Sequence, residues 1–183
     1  MKILNFGSCN IDFVYKLDHI VTIGETETSN SMQVFPGGKG LNQSVALAKA
    51  GMEVYHAGCI GTDGEMLTDV LESNGVDISN IKKVAEKTGH AIIQVSSKGD
   101  NSIFLYPGSN AKITEEFVDE VLDKFQKGDM LLLQNEINKI DYIIEKAYKK
   151  GMYIIFNPSP YNDEIKNLDF NMLSYIIINE VEM

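Results

Sequence analysis

The sequence has little of what would assign it to several specialised classes of protein. It contains no tryptophan, two cysteines and four prolines in 183 residues, which is too little cysteine for a disulfide-stapled secreted domain. It also lacks an apolar run near the ~18 residues that span a membrane, and an N-terminal stretch of signal-peptide type. We therefore expect Cys9 and Cys59 to be buried thiols in a cytoplasmic protein without a membrane partner.

Positive charge is scarce as well. The formal net charge is −10, from 16 Lys and Arg against 26 Asp and Glu. The lysines are scattered and form no basic stripe, so nucleic acid is not an expected partner. His19, His56 and His90 show no spacing typical of a metal site.

Short apolar runs alternate with segments of helical periodicity. Residues 2–7, 53–61, 129–135, 152–157 and 174–179 are predicted strands, and residues 41–50, 65–73, 114–127 and 139–150 are predicted helices. Several of the strands are continuously apolar, which is typical of parallel strands covered on both faces. Glycines at 51, 75, 128 and 151 come where helices should end. The pattern predicts a single α/β domain with a mostly parallel sheet between two layers of helices.

Two segments, about 12–35 and 90–106, depart from this alternation. The first has strand-like stretches around a polar turn, and the second reads as a hairpin whose turn holds Gly99 and Asn101. Together they predict a small β-sheet outside the main body. Such a sheet should cover a site or pair with a second copy of itself.

The stretch FPGGKGLNQS, residues 35–44, places three glycines, a lysine and an asparagine at the start of an alanine-rich helix. Gly37 and Gly38 let a ligand approach the main chain, and the free N–H groups of a helix start can bind hydroxyls or anions. A P-loop needs Ser or Thr after its lysine, where this chain has Gly40. A dinucleotide-binding turn needs a third glycine where Gln43 stands. A tight turn without a ligand remains the alternative.

This stretch, with Gly51 and Gly61 at their spacing, resembles the N-terminal signature of the ribokinase-like carbohydrate kinases. The segments GSCNID, GET, IGTDG, SIFLYPGSN, LLLQNEI, FNPSP and IIINEVE are similar to further family motifs, in family order. GGKGLNQS and QNE follow the ribokinase subgroup. The resemblance covers the whole chain and implies a three-layer, Rossmann-like ribokinase fold, incomplete at its C-terminus, with a small β-sheet lid.

The resemblance also implies a set of sugar-binding residues. They are Asn10, Asp12, Gly38, Lys39, Asn42 and Glu136. The residue types alone leave other interpretations open. Asn10 and Asp12 are typical of a turn after a strand, Lys39 of a solvated lysine, and Glu136 of the first turn of a helix.

The cofactors come from the resemblance alone. It implies ATP and Mg²⁺, with K⁺ in the whole protein; Asn179 would lie near the nucleotide phosphates, and Glu182 would hold Mg²⁺ through water. No catalytic residue is predicted in this chain, because the family's catalytic aspartate is expected beyond Met183. The chain is therefore expected to be the inactive, sugar-binding N-terminal part of an ATP-dependent kinase that phosphorylates a primary hydroxyl, with ribose as the favoured sugar.

Two alternatives stay open. The acceptor of the parent enzyme could be a nucleoside, fructose or a keto-deoxy sugar acid. The chain could also be a non-catalytic module for sugar binding or dimerisation, and a homodimer through the β lid is expected.

Overall fold

Two β-sheets organise residues 1–178, the part of the chain that the computed structural model describes. The larger sheet has six strands, in the spatial order β10 (Tyr175–Ile176), β9 (Tyr153–Asn157), β8 (Met130–Gln134), β1 (Ile3–Phe6), β4 (Val54–Ile60) and β5 (Asp77–Lys83). Every neighbouring pair in it is parallel. The predicted parallel sheet is therefore confirmed.

Helices cover both faces of this sheet. They are α1 (Lys39–Lys49), α2 (Glu65–Ser73), α3 (Glu115–Leu122) and α4 (Ile140–Lys150). Leu41 of α1 and Leu67 of α2 belong to one apolar cluster, whereas Val118 of α3 and Ile143 of α4 belong to another, together with alternate residues of β1 and β8. Because successive residues of a strand point to opposite faces, these clusters are the two sides of a three-layer α/β fold. No helix in residues 1–178 is long and apolar enough to cross a membrane.

The helix ends mostly follow the predicted signals. Thr114 caps α3, since its hydroxyl oxygen accepts from the N–H of Phe117 at 3.2 Å. The prediction that α3 continues to residue 127 is wrong, because the helix ends at Leu122. Asp129 explains the turn that follows: its carboxylate accepts from the N–H of Gln126 at 3.0 Å and so directs the chain into β8.

One edge strand, β5, was not predicted. Its sequence, DISNIKK, has no continuous apolar run. Among the described strands it pairs only with β4, at the edge of the larger sheet, so most of its side chains stay accessible to water. Asn80 is its one buried residue, and it accepts a hydrogen bond from the Lys124 ammonium at 2.6 Å. Hydrophobic periodicity does not detect a strand of this kind.

The smaller sheet has four strands, in the order β3 (Ser31–Gly37), β2 (Asn10–Lys16), β6 (Gly89–Val95) and β7 (Asn101–Tyr106). It starts two residues earlier than the predicted segment, at Asn10. Asp12 lies opposite Phe35 on one side and Ala91 on the other, and Ala91 lies opposite Leu105. Residues opposite one another share a face, so Asp12 shares its face with Phe35 and Leu105.

Candidate functional site

The candidate site lies where strands of the larger sheet end. Ser8 follows β1, Glu136 follows β8, and Lys39 begins α1. In open α/β sheets, ligands bind outside the carboxyl ends of the strands. Oε2 of Glu136 accepts from the Ser8 hydroxyl at 2.5 Å and from the N–H of Lys39 at 2.9 Å. Glu136 therefore joins the ends of two strands to the start of the helix.

The glycine segment packs directly on these groups. A Cβ on Gly37 would lie 2.1 Å from Oδ2 of Asp12, and a Cβ on Gly40 would lie 2.4 Å from the backbone nitrogen of Ser8. Gly38 caps α1 with a φ of 93°, in the left-handed region that favours glycine. Close packing thus requires glycine at positions 37 and 40, and backbone conformation requires it at position 38, whether or not a ligand is bound.

Asp12 is an acceptor held at the edge of this site. Its side chain is half-buried, and burial raises the pKa of its carboxyl, with a further contribution from the negative charge of Glu136. Among residues 1–178, no lysine or histidine forms an ion pair with Asp12. Two carboxylates thus approach each other without a neutralising cation, an arrangement that favours a ligand able to donate hydrogen bonds.

Asn10, the first residue of β2, is 5% exposed. Its Oδ1 accepts from Nδ2 of Asn110 at 2.7 Å. Asn110 was not among the predicted site residues, although it belongs to the quoted segment SIFLYPGSN. Its partner is 100 residues away in sequence, so no local pattern points to the contact.

A buried polar network supports the glycine segment from below. Asn5 of β1 donates to the carbonyl of Gly40 and to the hydroxyl of Ser44, both at 2.8 Å. Its carbonyl oxygen accepts from Nε2 of Gln134 at 2.9 Å. These contacts connect strands β1 and β8 to the first turns of α1, and they hold the glycine segment in place.

A cavity of about 370 Å³ opens beside these groups. Its lining combines side-chain amides, one carboxylate and apolar side chains, some of them from the small sheet. The lining residues are Asn10, Leu105, Tyr106, Pro107, Asn110, Ala111, Asn135, Glu136, Ile137, Asn138, Pro160 and Asn162. Its size and its mixture of apolar walls with a few polar groups suit a small polar ligand. The sequence-based prediction missed Asn110, Asn135 and Asn138.

The predicted site residues occupy different positions relative to this cavity. Asn10 and Glu136 line it. Gly38 and Lys39 connect to it through the backbone contact of Lys39 with Glu136, and Asp12 lies on the small sheet two residues from Asn10. Asn42 is exposed on the first turn of α1. The two residues predicted to bind nucleotide and Mg²⁺, Asn179 and Glu182, lie outside the described residues.

The remaining titratable groups do not form a metal site. Among the described residues, no group of three His, Cys, Asp or Glu side chains could hold a metal ion. Cys9 and Cys59 are free and buried, as predicted. Burial lowers the pKa of His56 to about 4, so this histidine is neutral near pH 7.

Fold and site together define an α/β protein with a polar cleft at the carboxyl edge of a parallel sheet, beside a small β-sheet. The sequence matches the family described as pfkB family carbohydrate kinase over residues 1–183. The chain therefore belongs to the pfkB family of carbohydrate kinases.

Relatives and solved structures agree with this assignment. The chain is 34% identical to the ribokinase of Bacillus subtilis over 180 residues, which cover 96% of the chain and 61% of that protein. The ribokinase of Cryptococcus neoformans, solved in complex with ADP, is 36% identical with a TM-score of 0.86, covering 99% of this chain and 58% of that one. The Arabidopsis thaliana ribokinase complexed with ribose and ATP is 28% identical with a TM-score of 0.71, covering 85% and 52%. The chain thus spans about 60% of the length of the curated relatives it matches.

Proposed function

We propose that this chain carries the sugar-binding portion of an ATP-dependent carbohydrate kinase that phosphorylates a primary hydroxyl of ribose. The observation that carries the proposal is the meeting of Glu136, Asn10 and the glycine segment at the carboxyl ends of β1 and β8. Ribose is favoured because the chain is similar to ribokinases, one of which is described with ribose and ATP. We place this activity in the cytoplasm, whose reducing conditions suit the free thiols of Cys9 and Cys59.

Each predicted residue has a role in this proposal. Asn10 and Asp12 hold neighbouring hydroxyls of the sugar, while Glu136 accepts from a further hydroxyl. Gly38 permits close contact with the main chain, and Lys39 and Asn42 extend the site along α1. The small sheet, about residues 12–35 and 90–106, acts as a lid that excludes water, with Leu105 over the apolar face of the sugar.

Phosphoryl transfer is proposed for the whole protein only. It requires nucleotide, a divalent cation and a group that takes the hydroxyl proton. We assign the nucleotide phosphates to Asn179 and Mg²⁺ to Glu182, with K⁺ as a further ion of the parent enzyme. The polypeptide of residues 1–183 is expected to bind sugar without phosphorylating it, since it spans about 60% of the relatives' length.

Calorimetry on the purified chain tests the proposal. Ribose should bind with measurable heat, and it should bind more tightly than fructose, a nucleoside or a keto-deoxy sugar acid. The substitution Asp12→Asn should weaken ribose binding by about tenfold or more, because it removes a charged acceptor. Asp69→Asn, at an exposed position of α2, is the matched control and should bind as the wild type does.

The outcomes separate the alternatives. If another acceptor binds more tightly than ribose, that acceptor is the substrate to assign in place of ribose. ATP-dependent phosphorylation of any sugar by residues 1–183 would contradict the assignment of catalysis to the rest of the protein. No heat with folded protein at millimolar sugar would contradict the sugar site itself.

A second function, dimerisation, is favoured by the small sheet. Ile103 is 51% exposed, and Phe35, on the same face of the sheet, is 45% exposed. Exposed apolar side chains concentrated on one element are typical of an interaction surface. We propose that the small sheet pairs with that of a second copy, with or without sugar bound.

A further inference from the structure

The buried amide of Asn110 lies between the end of β1 and the cavity. Asn110 is 2% exposed, in the 3₁₀ turn Gly108–Ala111 that follows β7. Its Oδ1 accepts from the N–H of Cys9 at 3.1 Å, and its Nδ2 donates to the carbonyl of Cys9 at 3.3 Å. The side chain thus pairs with both backbone groups of Cys9, as a residue of an adjacent strand would.

This pairing determines the orientation of the Asn110 amide. The reversed amide would direct its amine at the N–H of Cys9 and its oxygen at the carbonyl. Either mismatch leaves buried polar groups unsatisfied, which is costly. The second hydrogen of Nδ2 is therefore available to Asn10, whose Oδ1 accepts it at 2.7 Å.

Asn10 then has one polar group left. Its Oδ1 is occupied by Asn110, and no hydrogen bond joins its Nδ2 to any group in the described part of the chain. Because Asn10 lines the cavity, its amine is the group that remains for a ligand. Two residues further along the same face of β2, Asp12 offers a carboxylate.

Gly89 shows that the contact between the two amides is built into the small sheet. Gly89 pairs with Asn10 in the register of β2 and β6. A Cβ on Gly89 would lie 2.1 Å from Nδ2 of Asn110 and 2.5 Å from Oδ1 of Asn10. Any residue other than glycine would therefore separate the amides.

We propose that Asn110 is a positioning residue that determines the polarity of the sugar site. By holding Oδ1 of Asn10, it makes Asn10 a hydrogen-bond donor to the substrate. This inference rests on the proposed function and deepens it, because it states which atoms of the ligand are recognised. Nδ2 of Asn10 donates to a hydroxyl oxygen of the sugar, whereas the carboxylate of Asp12 accepts the hydrogen of a sugar hydroxyl. Neighbouring hydroxyls of a polyol satisfy both.

Side-chain amide exchange in the sugar-free wild-type chain tests the orientation directly. Both Nδ2 hydrogens of Asn110 should be protected from exchange in NMR spectra of ¹⁵N-labelled protein, because both are bonded and buried. Those of Asn10 should exchange faster and should shift when ribose is added. Protected hydrogens on Asn10 and exposed ones on Asn110 would overturn the proposal. This measurement needs no variant and no sugar binding.

Two isosteric substitutions test the consequence for recognition. Asn110→Asp removes the donor and should turn the Asn10 amide, so that oxygen faces the cavity. Asn10→Asp keeps the bond from Asn110 but also presents oxygen to the cavity. Both should weaken ribose binding about tenfold or more, and in Asn110→Asp the amine hydrogens of Asn10 should become protected.

Asn138 offers a matched control for amide exchange and stability, though not for sugar affinity, because it also lines the cavity. Its side chain pairs with the backbone of Ile113 in the same manner, at 3.1 Å for the N–H and 2.9 Å for the carbonyl. Asn138→Asp loses an equivalent bond and should cost similar stability, yet it should leave the exchange of the Asn10 amide unchanged.

Failure of the positioning role of Asn110 can be distinguished from failure of the proposed sugar-binding function. Unchanged ribose affinity in folded Asn110→Asp would overturn the positioning role. If the wild-type chain binds no sugar, the proposed function fails, and the exchange measurement alone still decides which amide is held and which is free.

Discussion

Nδ1 of His56 lies 2.8 Å from the hydroxyl oxygen of Ser44, in the buried layer between α1 and the larger sheet. Asn5 donates to the same hydroxyl oxygen, which leaves the Ser44 hydrogen available to Nδ1. Nε2 of the same ring lies 3.2 Å from the sulfur of Cys9. His56 is fully buried, and burial favours the neutral imidazole, in which Nδ1 can accept the Ser44 hydrogen while Nε2 carries the proton.

This relationship predicts an acid sensitivity that depends on one side chain. Burial lowers the pKa of His56 to about 4, below its ordinary value near 6.5. Between pH 6.5 and pH 4 the unfolded chain binds a proton at His56 more readily than the folded chain does. The contribution of His56 to the free energy of unfolding is therefore fully present above pH 6.5 and is lost as the pH falls. The expected loss is about 2 kcal/mol by pH 5.

Urea unfolding of the wild type and of His56→Gln, at pH 7 and at pH 5, measures this loss. The variant is less stable at neutral pH, but it should lose about 2 kcal/mol less on acidification. Every other titratable group is present in both proteins, so the difference isolates His56. Parallel pH profiles would show that His56 is not held neutral by the fold.

The sequence predicted the strands that carry this network but not the network itself. Apolar runs located the main strands, and glycines located most helix ends, because both signals are local. Asn5, Ser44 and His56 belong to three separate elements, and Asn5 contacts Gln134 at a separation of 129 residues. Nothing in a local pattern reports such a pairing.

The same limit applies to the site. Asn10 and Glu136 were predicted from family motifs, and both line the cavity. Asn110 was missed because its role depends on how β7 and its 3₁₀ turn return to the end of β1. The edge strand β5 was missed for a different reason, namely that a strand paired on one side needs few apolar residues.

Gly40 should be far less tolerant of substitution than Gly51, at the other end of α1. A Cβ on Gly40 would meet backbone atoms of Ser8 and Gly7 at 2.4 and 2.6 Å, whereas one on Gly51 would meet no atom of residues 1–178 within 4 Å. Gly40→Ala should cost about 3 kcal/mol or more. Gly51→Ala should cost about 1 kcal/mol, from its positive φ alone. Equal losses in denaturant unfolding would contradict the close packing of Gly40 on Ser8.

Asp12→Asn should stabilise the sugar-free protein while it impairs binding. Burial and the charge of Glu136 raise the pKa of Asp12 above its unfolded value, so the ionised form costs stability at neutral pH. The neutral amide should raise the melting temperature at pH 7. The gain should vanish at acid pH, where Asp12 itself becomes protonated. A lower melting temperature than the wild type at pH 7 would show that the Asp12 carboxylate is stabilised in the sugar-free state.

The small sheet should associate through the outer part of its Asp12 face, around Ile103, which does not line the cavity. The opposite face is partly occupied, since Phe13 packs on the apolar cluster beneath α1 and α2. On the Asp12 face, Ile103 lies opposite Ile93 at the outer strand and is 51% exposed. Sedimentation velocity should find a dimer that Ile103→Lys dissociates, because a lysine cannot be buried there without a partner. Phe104→Lys, on the reverse face of the same strand, is the control; a dimer broken by Phe104→Lys alone would place the interface on the wrong side of the sheet.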